Sequence, residues 1–366
     1  MKICCVFNYN PLYRLPIYSA MDKEFDCDFY FGNTVFQPLK TFDAQCLKGF
    51  KGYIRAKKLR SYHWHTGISK IFNKKYTHYI ITGNSSMLVT RLILLYARLT
   101  GKKVFLWTHG IKQDNIGLRA KLVSKLYFTN ATGILMYNRY FCKNMLNIGC
   151  KEDKLHIIHN SLDTEFQTVI YSKQRPTNIY KNHFKNNNAT IIYIGRIQRV
   201  KKTEQILDAM YILKSRGLDL NLVVVGSNVD DDIFEKKIKE YGFEDNVWMY
   251  GACYEETKNA ELIYNAKVCV SPGNVGLTCM HVLSYGTPVI TNNNFSKQMP
   301  EFEAIIEGKT GSFFQEDDIE DLAQHIQKWV ILSDDEQRKC RDLARKTIEE
   351  EWSVSYQINL LKRIIK

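Results

Sequence analysis

Two groups of residues in this chain have the types and spacing to hold a diphosphate. The first is an apolar run ending in Gly195-Arg196, with Lys201 five residues farther on and an amphipathic segment after it. Two cations just past a strand end and beside a helix start suit a pair of phosphates. The second is SPGNVGLTCMHVLSYGTPVI, residues 271–290. Here a Pro-Gly-Asn-x-Gly turn opens an apolar segment of helical length, and Gly-Thr-Pro leads into Val-Ile, so the expected order is strand, turn, helix, turn, strand. The backbone N–H groups of Gly276, Leu277 and Thr278, with the Thr278 hydroxyl, are expected to face the phosphates. Asn274 lies in the same turn, and His281 inside the helix can donate or accept a hydrogen bond.

Other chemistry-bearing residues are set apart from these. His109 follows an apolar run in LWTHG (106–110), and Glu301 and Glu303 stand in NNNFSKQMPEFEAI (292–305). VDDDIFE (229–235) falls at a helix start, where aspartates cap the helix and complement its dipole, so it reads as capping and not as a metal site. His63 and His65 in HWHTG lack acidic or cysteine neighbours, which favours a surface or acceptor-side role. No metal is expected. Asp114 is the one carboxylate near the His109 loop that could act as a base.

Positioning these groups calls for two alternating sets of strands and helices. The runs 2–8, 26–32, 78–83, 102–110, 132–137 and 155–160 read as strands, with helical spacing at 14–24, 86–99, 119–129 and 138–147 between them. A polar, asparagine-rich stretch interrupts the pattern, and a second set follows at 189–196, 219–226, 246–251, 266–273 and 287–292. Residues 318–366 read as helical throughout. Such alternation predicts an α/β chain of two Rossmann-like, doubly wound parallel-sheet domains, whose ligands bind at the carboxyl ends of strands. The expected boundaries are an acceptor-side domain at 1–165, a linker at 166–188, a donor domain at 189–345, and a C-terminal helix at 346–366 that packs back toward the first domain.

Charge is distributed unevenly. The chain of 366 residues carries a formal +13, and no Asp or Glu occurs between Asp43 and Asp114, a span holding fourteen Lys and Arg. Phe50, Tyr53, Tyr62, Trp64 and Phe72 are interleaved with them. An anionic membrane surface, nucleic acid or a phosphorylated acceptor would each answer such a stretch. The opening MKICCVF reads as a buried strand and not a leader. The apolar segment 87–99 is too short to span a bilayer and carries Arg91 and Arg98. Ten cysteines without a C-x-x-C pair point to reduced thiols in a cytoplasmic protein.

In order and spacing, GRIQRVKK, ILDAM, LVVVG, VWMYGACYEE, LIYNAKVCVSPGNVGL, LSYGTPVI and EGKTG resemble the donor half of GT-B glycosyltransferases, in particular family 4 (glycosyl transferases group 1). NPLYRLP (10–16), LWTHG and IIHNSLD (157–163) are similar to motifs of the family's other half, so the resemblance spans nearly the whole chain. It implies two domains facing across a cleft, a nucleotide-sugar donor, a saccharide or lipid-linked acceptor, and transfer with retention and without a metal. By the same resemblance Arg196 and Lys201 bind the donor diphosphate, beside Gly195. The backbone of Gly251, Ala252 and Cys253 holds the base, flanked by Gly226 and Ser227. His109 touches the donor sugar, Tyr13 and Arg14 belong to the acceptor side, and Glu301 or Glu303 lies below the donor pocket.

One feature of the family is missing. Its two glutamates, eight positions apart, fall at Gly273 and His281 here. His281 is expected to take over a ribose hydroxyl, and Asn274, Glu301 or Glu303 a sugar contact. The resemblance to bacterial members suggests capsule, O-antigen, lipopolysaccharide or exopolysaccharide assembly by a peripheral enzyme on the inner face of the cytoplasmic membrane, held through the basic 48–112 region. The missing glutamates leave a non-catalytic sugar-nucleotide-binding protein as an alternative. The charge leaves a nucleic-acid-binding protein as another, but no nucleic-acid recognition motif is present, and nucleic acid is not expected as a partner.

Overall fold

The computed structural model describes residues 1–33, 40–60, 62–113, 116–229 and 232–366. The chain divides into two compact units: Met1–Leu162 with Val354–Lys366, and Asp163–Ser353.

In the first unit the strands are β1 (Ile3–Phe7), β2 (Cys27–Gly32), β3 (Phe50–Leu59), β4 (Tyr62–Thr66), β5 (His78–Thr82), β6 (Lys103–Thr108), β7 (Gly133–Met136) and β8 (Leu155–Ile157). They form one sheet in the order β4-β3-β2-β1-β5-β6-β7-β8. All pairings are parallel except β3 with β4. Every residue of Ile3–Phe7 is buried, as a parallel strand covered on both faces requires. Helices α1 (Leu15–Glu24), α2 (Leu88–Thr100), α3 (Leu118–Thr129) and α4 (Cys142–Asn147) come from this part of the chain. One core, with Val6, Ile81, Ile93 and Leu106, lies under α2; the other, with Phe7, Tyr18, Trp107 and Leu361, lies under α1 and the last helix.

The second unit begins with α5 (Thr164–Lys173) and α6 (Ile179–Phe184). These occupy the polar stretch whose composition suggests a linker. Asp163 caps α5 by accepting from the Phe166 N–H at 3.2 Å, and the Tyr180 hydroxyl donates to the Leu262 carbonyl. The strands β9 (Ala189–Ile194), β10 (Leu220–Val225), β11 (Val247–Met249), β12 (Val268–Ser271), β13 (Val289–Asn292) and β14 (Gly311–Phe314) are ordered β11-β10-β9-β12-β13-β14 and all parallel. This is the dinucleotide-fold order, and it reverses between β9 and β12. Around the sheet lie α7 (Glu204–Ser215), α8 (Asp232–Glu240), α9 (Glu256–Asn265), α10 (Leu277–Ser284), α11 (Ile319–Val330) and α12 (Asp334–Glu351). The last helix, α13 (Val354–Ile364), is counted with the first unit and packs on α1, where Lys362 pairs with Glu24 at 2.5 Å.

Two parallel-sheet units with a helical C-terminal region therefore match the expected architecture. The strands that composition conceals are β3, β4 and β14. β3 reads FKGYIRAKKL and buries Ile54 while leaving Lys51, Arg55, Lys57 and Lys58 exposed. Pairing with β2 and β4, more than any alternation of apolar residues, makes it a strand. All ten cysteines are free.

Candidate functional site

The glycines at the carboxyl ends of β9, β10 and β11 are tied to one another. The Gly195 N–H donates to Val225, the Gly226 N–H to Gly251 at 3.0 Å, and the Ile197 N–H to Ser227. Gly226 has no alternative, because a Cβ there would sit 1.8 Å from the Gly195 carbonyl oxygen. These contacts bring Gly195, Gly226, Ser227 and Gly251 to one edge of the sheet. Ala252 and Cys253 follow directly, with the Cys253 carbonyl accepting from Asn259 at 3.3 Å.

Across the strand-order reversal stands the 272–278 turn. Gln298, buried at 1% exposure, holds it: its carbonyl accepts from the Val275 N–H at 2.7 Å, and its amide donates to Gly273 and Asn292 carbonyls and to Thr291 Oγ1. Asn292 Nδ2 donates to the Pro272 and Gly273 carbonyls, and Thr291 Oγ1 to those of Ser271 and Gly273. The turn is thus built around backbone. At Gly273 a Cβ would lie 2.3 Å from the Val200 oxygen and 2.6 Å from the Lys201 Cα. The expected carboxylate is absent here for a structural reason: the chain at 200–201 occupies the space a side chain would need.

Lys201 ends a 3-10 turn, Arg199–Lys201, and its ammonium donates to both the backbone and side-chain oxygens of Asn274 at 2.7 Å. Its pKa is lowered to about 8, first by burial and then by Arg196, against an opposing pull from Glu301. Glu301 is buried at 2% exposure on the 3-10 turn Pro300–Ala304, and Glu303 is half-buried on the same turn. Arg196 is exposed, and its carbonyl accepts from the Tyr193 hydroxyl at 2.8 Å. Gly276 begins α10 without a side-chain cap, so the first-turn N–H groups of Leu277 and Thr278 lack intrahelical acceptors. The Thr278 hydroxyl on the same turn donates to the Ile194 carbonyl at 3.1 Å.

His281 is engaged as well. Its Nε2 lies 2.9 Å from Glu256 Oε1, which also accepts from the Tyr285 hydroxyl at 2.7 Å and Gln167 Nε2 at 3.2 Å. Burial opposes the charge on Glu256, but His281, Tyr285 and Gln167 outweigh it and hold the pKa at about 2. A carboxylate missing from α10 is therefore present beside it, supplied by the first residue of α9. Sequence reading passed over Glu256 because acidic residues at a helix start are ordinary dipole partners, and nothing in a linear chain marks a pairing across twenty-five positions. Gln298 was missed for the same reason.

In the first unit, β6 ends at Thr108, whose hydroxyl donates to the Gly83 carbonyl at 2.9 Å and accepts from the Gly110 N–H at 3.0 Å. Gly110 has φ +69°, and a Cβ there would meet Met136 at 2.6 Å. This turn sets the His109 ring 4.5 Å from that of Tyr137. Burial, then the charges of Lys112 and Arg14, lower the His109 pKa to about 3, so the ring is neutral. Its Nδ1 is buried without a hydrogen-bond partner among the described residues. Arg14 is buried too. Its guanidinium donates to the hydroxyls of Tyr137, Tyr18 and, at 3.4 Å, the half-exposed Tyr13, and to Asn160 Oδ1 at 3.3 Å. Trp107 lies 4.9 Å from it. Among the described residues Arg14 has no carboxylate partner. The 157–161 strap is pinned by Gln357 of α13, which accepts from Ser161 and donates to the Ile158 and His159 carbonyls.

Asp114, Asp230 and Asp231 lie outside the described residues. Among the described residues no group of three or more His, Cys, Asp or Glu could hold a metal, and no helix is long and apolar enough to cross a membrane.

Known structures resemble this chain over its full length. Anabaena HepE in complex with UDP matches at a TM-score of 0.75 and 13% identity, with 100% of each chain covered. A glycosyltransferase from Rickettsia africae matches at 0.74 and 15% identity, covering 100% of this chain and 99% of that one. The lipopolysaccharide outer core galactosyltransferase WaaB, in its apo form, matches at 0.69 and 16%, with the same coverage. At such identities the likeness establishes the fold, which is GT-B. Residues 174–347, all within the second unit, match the family described as glycosyl transferases group 1. No curated protein matches the chain.

Proposed function

We propose that the chain is a glycosyltransferase that moves a sugar from a nucleotide-sugar donor to a saccharide or lipid-linked saccharide in bacterial surface-polysaccharide assembly, whether capsule, O-antigen, lipopolysaccharide or exopolysaccharide. The observation that carries this reading is the convergence of Lys201, Arg196 and the uncapped start of α10 where the strand order of the second sheet reverses. Ligands of doubly wound sheets bind at that point. HepE crystallised with UDP and with UDP-glucose, which supports a nucleoside diphosphate sugar as the class of donor.

In this reading the diphosphate lies against the first-turn N–H groups of α10, with Lys201 and Arg196 as its cations. These groups stabilise the charge that develops as the bond from the anomeric carbon to the diphosphate breaks, and the step needs no metal. The acceptor oxygen forms its bond on the same face, and its proton passes to a phosphate oxygen of the departing group, so configuration is retained. The backbone at 251–253, beside Gly226 and Ser227, holds the base, and His281 with Glu256 holds the ribose. Asn274 and Glu301 border the sugar, with Glu303 on the same turn as Glu301. His109 stays neutral, so it can accept or donate a hydrogen bond to a sugar hydroxyl without adding charge. Tyr13 and Arg14 serve the acceptor. The basic 48–112 region meets an anionic leaflet from the cytoplasmic side, and nucleic acid is not a partner.

A thermal-shift panel of UDP, GDP, CMP and dTDP, free and as sugar conjugates, with EDTA present, tests the proposal. One nucleotide raising the melting temperature is expected. No shift with any of them would overturn the donor site and leave the first unit's charge to be explained by other binding.

A further inference from the structure

Helices α2 and α3 each turn apolar side chains outward. On α2, Leu92, Leu95 and Leu99 recur at intervals of three and four residues, and on α3, Leu118, Leu122 and Leu126 recur at intervals of four with Val123 beside them. Each set forms one stripe along its helix. Leu95 is 56% exposed, Leu99 77% and Leu118 87%. The core does not call for these residues, since Val89, Ile93 and Ala97 of α2 and Tyr127 and Phe128 of α3 already fill it. Leu94, Leu95, Val123 and Leu126 line a groove between the two helices, with Arg91 and Arg98 at its side. A single exposed leucine is ordinary, but contiguous stripes on adjacent helices mark a surface that meets something.

The charges on this face are all of one sign. Arg91, Arg98, Arg119, Lys121 and Lys125 lie on the two helices, Lys121 turned toward a separate cavity beside α4, and neither helix holds an Asp or Glu. Among the described residues none of these five has an ion pair, whereas Lys51 and Lys75 elsewhere in the unit are matched to Asp28. Arg91 also lies over the Tyr62 ring at 5.2 Å, which joins the groove to the β3–β4 arm. On that arm Tyr53, Tyr62 and Trp64 are between 41% and 49% exposed.

Leucines, amphipathic rings and unpaired cations on one face are what the boundary between headgroups and acyl chains selects. Nucleic acid would satisfy the cations but leave the leucines in water. We propose that α2 and α3 form a monotopic docking face, which buries its leucines in an anionic leaflet while the β3–β4 rings lie at headgroup level. This goes beyond electrostatic attraction through residues 48–112. α3 lies outside that stretch, and burial of apolar surface keeps the protein bound in salt that screens charge alone. It does not rest on the sugar-transfer reading.

The test is flotation of the full chain with vesicles of phosphatidylcholine alone and of phosphatidylcholine with phosphatidylglycerol. The wild type is expected to float with the phosphatidylglycerol vesicles and to remain partly bound in high salt. Replacing Leu95, Leu99, Leu122 and Leu126 together by serine should cut partitioning by roughly 100-fold or more, since each loses most of its apolar burial. The melting temperature and any nucleotide-induced shift should stay unchanged. Arg98→Gln with Arg119→Gln and Lys125→Gln should erase the preference for phosphatidylglycerol. Wild type that stays off both vesicles, or a serine variant that floats as well as wild type, overturns the proposal. So does a wild-type dimer that the serine variant breaks without any vesicle binding, which would assign the face to a second copy. RNA binding untouched by the serine replacements, with no flotation, overturns it in favour of nucleic acid.

Discussion

The two sheets share a strand plan and differ in what stands at its reversal. In the second unit the reversal between β9 and β12 carries an ammonium poised near neutrality, a buried carboxylate acting on it, and a helix start built from bare backbone. In the first unit, the reversal between β1 and β5 carries Arg14, wrapped in phenols without an acid among the described residues, and β6 beside it carries His109, which is neutral. A shared reversal of strand order thus presents a charged cradle in one unit and a phenol- and imidazole-lined site of fixed protonation in the other. The first suits a group that arrives and leaves with changing negative charge; the second suits hydroxyl-rich ligands. Fold supplies the place, and side chains at equivalent strand ends decide the chemistry.

The comparison breaks most sharply at the cations. Lys201→Ala and Arg196→Ala are each expected to lower kcat/KM for sugar transfer by about 10²–10³-fold with little change in melting temperature, as for loss of a group aimed at developing charge. Normal turnover in both variants would remove the cradle. Next in size is Gly273→Ala, which drives a Cβ into the 200–201 backbone. A stability loss of about 2–3 kcal/mol in urea unfolding is expected, and a neutral result would show that the 272–278 turn relaxes easily.

Glu256 sharpens the comparison through acid. Its folded pKa of about 2 lies below the ordinary 4.5, so its stabilising contribution is complete above about pH 4.5 and is lost as pH falls toward 2. Wild type should lose up to about 2 kcal/mol across that window relative to Glu256→Gln, allowing for partial exposure. Parallel stability curves would refute the pairing with His281. The smallest effect separates the units by pH alone. Lys201 loses charge as pH rises through about 8, so nucleoside diphosphate affinity should fall about tenfold between pH 7 and 9, and Lys201→Gln should flatten that fall. His109, neutral above about 3, should contribute no inflection to the transfer rate between pH 5 and 9. An inflection that vanishes in His109→Asn would show that it titrates.

Much of the site could be read before any fold was known. Gly195, Arg196, Lys201 and the 273–278 turn follow β9 and β12 closely along the chain, so their grouping needs only the rule that ligands bind at strand ends. Glu256 and Gln298 were not legible, because each acts on residues more than twenty positions away. The same holds for β3, whose lysine-rich sequence gives no sign of the partner strands that organise it.

By itself, then, the amino-acid order determined the alternation of strands and helices, the two cations with their glycine turns, and the acid-free first-unit stretch, because all of these are local patterns of residue type. Only the tertiary structure decided that no side chain fits at 273, that Glu256 stands beside His281, and that the Thr278 hydroxyl meets the Ile194 carbonyl. It also decided that the leucines of α2 and α3 face outward. Those outcomes depend on which backbone passes within a few ångströms of which side chain, and packing alone sets that distance.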